Sequence, residues 1–314
     1  MPTISKPFPK ADGVECVDFN EIYDHGNPTE KRLAKKLLTR AHKGIYCKTF
    51  PIPSEQEALS DWLDRLEKGD DEELQIFSVF GKNLNSNNPE IMGMIVSSYC
   101  KGTSIGLINY VIREKDYKGQ LSGKDLCEHH EKLMEDMARQ IDNQELKGIL
   151  WEANDPAKIE WDENDLNRFE VDCMAPQKRV DHIEKNFGCK LLGFDYVQAP
   201  LSPCESLEEV REKTCKELLM YSYNADKYRN MTAKDLTDYL IVFSRSLNGA
   251  SHPSKLGDED ITKMMNQLKK MEKDNIPLLK RLQTPEQQEA LNKAGNDNEK
   301  QVLSPAHKKA YSNA

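Results

Sequence analysis

The stretch from residue 104 to 141 holds the tightest constraint in this chain. An apolar run, SIGLINYVI (104–112), is long enough for a strand buried in a sheet. A polar, glycine-bearing segment follows, EKDYKGQLSGKDL (114–126). Apolar residues then recur at Leu126, Leu133, Met134, Met137 and Ile141, the three-and-four spacing of a helix. The order is strand, turn, helix.

Neighbouring segments extend the pattern. ELQIFSVF and EIMGMIVSSYC read as two earlier strands joined by GKNLNSNNP, whose Asn, Gly and Pro content signals a hairpin loop. LKGILWEANDP is a strand ending in a polar turn, and an irregular acidic segment follows from Ala157. A helix is expected from Pro176 to about Phe187, stopped by Gly188, then a strand through Val197. TCKELLMYSYN adds one more strand. Asn27 with Pro28 and Glu30 opens a helix that should close at Gly44. Capping pairs Ser54/Glu57, Ser206/Glu209 and Thr232/Asp235 mark further helix starts. The expected division is residues 1–225 as one domain, 226–294 as a C-terminal helical region and 295–314 as a polar tail without periodicity.

Composition excludes several classes. No apolar stretch approaches the roughly 18–20 residues that span a bilayer, and the polar N-terminus is unlike a secretory leader, so a cytoplasmic protein with no membrane partner is expected. A net charge of −9 disfavours a grip on nucleic-acid phosphates. The acidic excess lies wholly in residues 1–204, which would draw cationic substrates such as amines or simply solvate the surface. Eight cysteines are scattered without zinc-like spacing or a disulfide framework.

In the loop, Gly119 and Gly123 bracket a turn in which Ser122 would cap the following helix, with Asp125 as its reciprocal partner. Free amides at a helix start, backed by the positive end of its dipole, form a site for phosphate, and Lys118 and Lys124 would add charge. A plain capped helix start uses the same residues. A Walker A loop is excluded, because Asp125 stands where Ser or Thr should meet magnesium. His129 and His130 point about 100° apart on a helix and cannot easily share an ion, so solvated helix residues are expected there and no metal. DENDLN (162–167) lacks the glycine and final glutamate of a calcium loop.

GLINYVIREKDYKGQLSGKDL resembles the strand, loop and helix that bind acyl-CoA in GNAT-family N-acetyltransferases. LKGILWEANDP looks like that family's fifth strand, and RVDHIEKNFGCKLLGFDYVQAPL is similar to its fourth helix and following strand. The resemblance covers residues 74–200, more weakly from residue 13, and leaves out the C-terminal helices. Lys118 replaces the motif arginine, Leu121 stands at the central glycine, and Ile183 and Glu184 replace the family's Phe-Tyr pair.

The resemblance implies an α+β fold: a mixed, mostly antiparallel sheet flanked by helices, with two central strands splayed apart. Acetyl-CoA would enter as cosubstrate. Its pantetheine would pair with the backbone of Tyr110, Val111 and Ile112, and its pyrophosphate would lie on Lys118, Gly119, Gln120, Leu121, Ser122, Gly123 and Lys124. Glu152 is the expected base, Glu114 the next choice, and Tyr196 the expected acid; Asn154 and Asp155 would line the mouth for an amine of a small molecule or protein. The alternative is a degenerate scaffold of the same fold that transfers nothing.

Overall fold

The computed structural model describes residues 3–50, 56–69, 72–117, 119–158, 176–200 and 203–279. In chain order its elements are β1 (Lys6–Pro7), β2 (Glu15–Asp18), α1 (Phe19–His25), α2 (Pro28–Ala41), α3 (Leu59–Lys68), β3 (Glu73–Lys82), β4 (Glu90–Cys100), β5 (Ile105–Arg113), α4 (Gly123–Ile141), β6 (Gly148–Asn154), α5 (Pro176–Phe187), β7 (Lys190–Leu191), α6 (Leu207–Lys213), β8 (Leu218–Ser222), α7 (Ala233–Asn248) and α8 (Glu259–Lys273). The strands form one sheet in the order β1-β2-β3-β4-β5-β6-β8-β7. Every neighbouring pair is antiparallel except β5 and β6, which run parallel. This is the expected α+β, mostly antiparallel architecture.

Alternation along the strands sends successive side chains to opposite faces. Tyr99, Ile108, Ile149 and Tyr221 join Leu126, Cys127 and Met134 of α4 and Val180 and Ile183 of α5 in one core. The other face is covered twice. Val17, Phe77, Met94 and Ile112 pack under α1, α2 and α3, while Leu107, Leu150 and Met220 pack under α7 and α8. The C-terminal helices therefore share the sheet's core, and residues 1–279 form one compact unit. The expected tail, 295–314, lies outside the described residues.

Several local expectations need correction. α2 does not close at Gly44: it passes into a five-residue π-type segment, His42–Tyr46, with the Cys47 amide bonded to the His42 carbonyl. α3 starts after Ala58 without a side-chain cap; Ser54 lies outside the described residues, and Glu57 instead accepts from Trp62 Nε1 at 3.2 Å and Arg65 at 2.6 Å. The strand expected through Val197 stops at Leu191, and only isolated bridges, Leu192 to Leu279 and Gln198 to Cys215, continue it. Most of the irregular segment after Ala157 and residues 280–294 of the expected C-terminal helical region fall outside the described residues. Among the described residues, no helix is long and apolar enough to cross a membrane.

Candidate active site

The parallel pair β5–β6 holds register only from Ile105 opposite Gly148 to Ile108 opposite Trp151. Beyond that point the two strands part. One edge of β5 from Tyr110 to Arg113 remains on β4, and its other edge has no strand partner among the described residues. The cause is visible one residue earlier: Val96 pairs with Tyr110 and Ser97 with Ile108, so Asn109 is an extra residue. Such a bulge bends and twists its strand. The Asn109 side-chain oxygen is buried there with no hydrogen-bond partner among the described residues.

Below the gap, the loop into α4 takes the capped form expected. Ser122 Oγ accepts from the Asp125 amide at 3.1 Å, and the Asp125 carboxylate accepts from the Ser122 amide at 3.3 Å. Gly119 has φ of 94°, a conformation open to glycine at little cost. Leu121 is 1% exposed and packs in the core beside Leu126. It comes close to Gly93, where a Cβ would meet its side chain at 3.1 Å. Its side chain thus points away from the helix mouth. No hydrogen-bond partner occupies the amides of Gly123 and Lys124 among the described residues. Val111 and Phe187 flank Gly123, 3.7 and 3.4 Å from where a Cβ would sit. Gln120 accepts from Lys82 at 3.0 Å, Lys124 pairs loosely with Glu128 at 3.8 Å, and Lys118 lies outside the described residues.

Glu152 is the first β6 residue past the parallel pairing. Its neighbour Leu150 belongs to the α7–α8 core, and alternation turns Glu152 to that same face. Tyr196 donates its hydroxyl proton to Glu152 Oε1, and Gln198 Nε2 donates to Oε2 at 2.9 Å. Burial raises the Glu152 pKa above the usual carboxylate value, partly offset by those two bonds. Burial, with the Glu152 charge beside it, holds Tyr196 well above the usual phenol value.

The two residues expected as base and acid thus meet in direct contact, although they lie far apart in sequence. Gln198 escaped the sequence reading. Its place two residues after Tyr196 in an extended segment puts both on one side, which is the signal that finds it. Glu114 is not brought to this pair: its amide bonds to the Met92 carbonyl at 3.0 Å, and no hydrogen bond joins it to Glu152 or Tyr196. Asn154 closes β6 opposite Leu218. Asp155 makes an Asx turn, accepting from the Ala157 amide at 3.0 Å, and pairs with Lys158 at 3.5 Å. Tyr110 turns its ring onto Tyr46 and Phe50, each 5.2 Å away, while Val111 faces α4 and Ile112 is buried.

His129 and His130 are not solvated helix residues. His130 is fully buried, and its order of bonds can be read off. Ser78 has one hydroxyl proton and gives it to Asp18 at 2.6 Å, so it accepts from His130 Nε2 at 2.9 Å. Nδ1 then accepts from Ser97 at 2.6 Å. Burial lowers the His130 pKa to about 3, which keeps the ring neutral. Cys127 is a buried core thiol on α4, as its helix face implies.

No family model matches this chain, and no curated protein does. Solved structures similar to it include an acetyltransferase from Streptococcus agalactiae 2603, at 14% identity and TM-score 0.35, covering 67% of this chain and 98% of that one. The aminoglycoside 6'-N-acetyltransferase from Enterococcus faecium is 18% identical, with TM-score 0.33 and coverage of 63% and 92%. The ribosomal-protein-S18-alanine N-acetyltransferase from Escherichia coli is 8% identical, with TM-score 0.27 and coverage of 62% and 88%. At such identities, the residues of this chain are what carry a functional reading.

Proposed function

We propose that this protein transfers an acetyl group from acetyl-CoA to a primary amine. The observation that carries the reading is the parting of β5 and β6 directly above a capped helix start. An extended chain bearing amides, such as pantetheine, can pair with the unpartnered edge of β5 as a missing strand would. Its phosphates then reach the amides of Gly123 and Lys124, where the helix dipole favours negative charge. Asn109 Oδ1 offers a buried acceptor beside the gap. This fit needs no side chain at the loop, so Leu121 in place of glycine is accommodated by its burial in the core.

Chemistry then falls to Glu152 and Tyr196. The amine nitrogen attacks the thioester carbonyl, a C–N bond forms and the C–S bond breaks, with no covalent enzyme intermediate. The amine gives a proton to Glu152, and the departing thiolate takes the proton of Tyr196. Their hydrogen bond lets the proton gained by Glu152 restore Tyr196, so the pair ends each turnover unchanged. Gln198 holds the second carboxylate oxygen and fixes the direction of the first. The acceptor amine reaches Glu152 from the sheet face bounded by Tyr110 on one side and α7 on the other, opposite the face that carries α4.

Calorimetry with acetyl-CoA, followed by thiol release on a panel of small amines and peptides, tests the reading. Binding is expected in the wild type and in Glu152→Gln, with turnover in the variant lowered about 10²- to 10⁴-fold. Absence of acetyl-CoA binding would sink the proposal outright. Binding without turnover on every amine would favour a CoA-binding scaffold.

A further inference from the structure

Strand β2 and helix α4 bring three metal-ligating groups together on the sheet face away from Glu152. Cys16 and Asp18 are two residues apart on β2 and share a face; His129 lies in the second turn of α4. The sulfur of Cys16 is 3.3 Å from Asp18 Oδ1 and 3.6 Å from His129 Nε2, and His129 Nε2 is 2.8 Å from the same Oδ1. All three donor atoms lie within 4.8 Å of one another. Cys16 and Asp18 are 1% and 6% exposed, and the His129 side chain is 15% exposed. Phe8 and Phe80 stand edge-on to the imidazole at 5.6 and 5.5 Å, fixing its plane.

This is not a nucleophilic triad. A histidine that relays a proton uses one ring nitrogen toward the thiol and the other toward the carboxylate. Here a single nitrogen faces both. Converging donors of this kind are what a metal ion requires. Tetrahedral zinc, with bonds of about 2.0–2.3 Å, separates its ligand atoms by roughly 3.3–3.6 Å. The two edges from Cys16, at 3.3 and 3.6 Å, already match, and the 2.8 Å edge must open by a fraction of an ångström.

We propose that Cys16, Asp18 and His129 bind one zinc ion, tying β2 to α4. The protein without an ion crowds three donors, Ser78, Cys16 and His129, onto Asp18 Oδ1. Zinc replaces two of them. The Cys16 proton leaves as the thiolate forms, and the imidazole binds as its neutral form with its proton on Nδ1. Lys6 does not compete for the same atom, since its ammonium holds Asp18 Oδ2 at 2.9 Å and also pairs with Glu21 at 2.8 Å. The loaded group is balanced: zinc and Lys6 against the thiolate, Asp18 and Glu21. A thiolate, an imidazole and a carboxylate together favour zinc over magnesium or calcium, which prefer oxygen alone. With three protein ligands, a water molecule would complete the tetrahedron.

The test uses the full chain, stripped with a chelator and titrated with zinc against a chromophoric competitor. One equivalent should bind, and affinity should fall on the order of a hundredfold or more in Cys16→Ser and in His129→Gln, with Cys204→Ser unchanged. Cobalt in place of zinc should give a thiolate charge-transfer band that Cys16→Ser abolishes. Circular dichroism of His129→Gln, a change at a partly exposed ring, separates lost ligation from lost folding. Failure of the wild type to bind one equivalent overturns the site. So does undiminished binding in either ligand variant, or a cobalt band that survives Cys16→Ser. None of these outcomes touches acetyl-CoA binding, so the two proposals stand or fall separately.

Discussion

At Glu152 both carboxylate oxygens are held, one by Tyr196 and one by Gln198, in a site where burial raises the pKa. The base form therefore appears only at a pH above the ordinary glutamate value of 4.5. In the acetyl-transfer reading, kcat/KM should rise with pH along an acid limb centred above 4.5. A limb centred at or below that value would contradict a buried base. Glu152→Gln should remove the limb and cost about 10²- to 10⁴-fold in rate. Leu121 sits at the opposite extreme, as a loop residue doing core work. Leu121→Ala should cost about 2–4 kcal/mol in a urea titration, because it leaves a cavity against Gly93 and Leu126. A cost under about 1 kcal/mol would mean the side chain is not packed as described.

Helix α4 shows how much an element declares of itself in sequence. The pairs Asn27/Glu30, Ser122/Asp125 and Thr232/Asp235 all form reciprocal caps in the structure, because a cap depends on residues three apart. Weakly patterned elements were not legible: β1 has two residues, β2 has four, and α1 has seven. Extended backbone after Gly188 was legible, but pairing was not, since a strand exists only where a neighbour offers its edge. The mouth of α4 gives a prediction of its own. Gly123→Asp meets only ordinary contacts at Phe187 and Val111, so folding should survive. In the acetyl-transfer reading, an added carboxylate there should nevertheless weaken acetyl-CoA at least about tenfold by calorimetry. Unchanged affinity would move the phosphates off this helix start.

At the scale of the molecule, three cores among the described residues meet on one sheet, and the C-terminal helices complete one of them. Leu236, Tyr239, Ile261 and Leu268 are fully buried against Leu107, Leu150 and Met220. Removal of residues 226–314 should therefore expose that sheet face and abolish cooperative thermal unfolding, read by circular dichroism and by binding of a hydrophobic dye. A truncated chain that still melts in one sharp transition would show that the helices are dispensable.

Short-range spacing in the sequence was enough to set most of the longer helices, three reciprocal caps, the strand–loop–helix order and the acidic balance, because each depends on residues a few positions apart. The tertiary structure alone decided where β5 and β6 part, since Asn109 bulges out of the pairing with β4 and the pairing with β6 ends at Ile108. It alone joined Tyr196 to Glu152 and His129 to Cys16 and Asp18, across 44, 113 and 111 positions. Contacts at such separations follow from packing whole elements together, and no local periodicity encodes them.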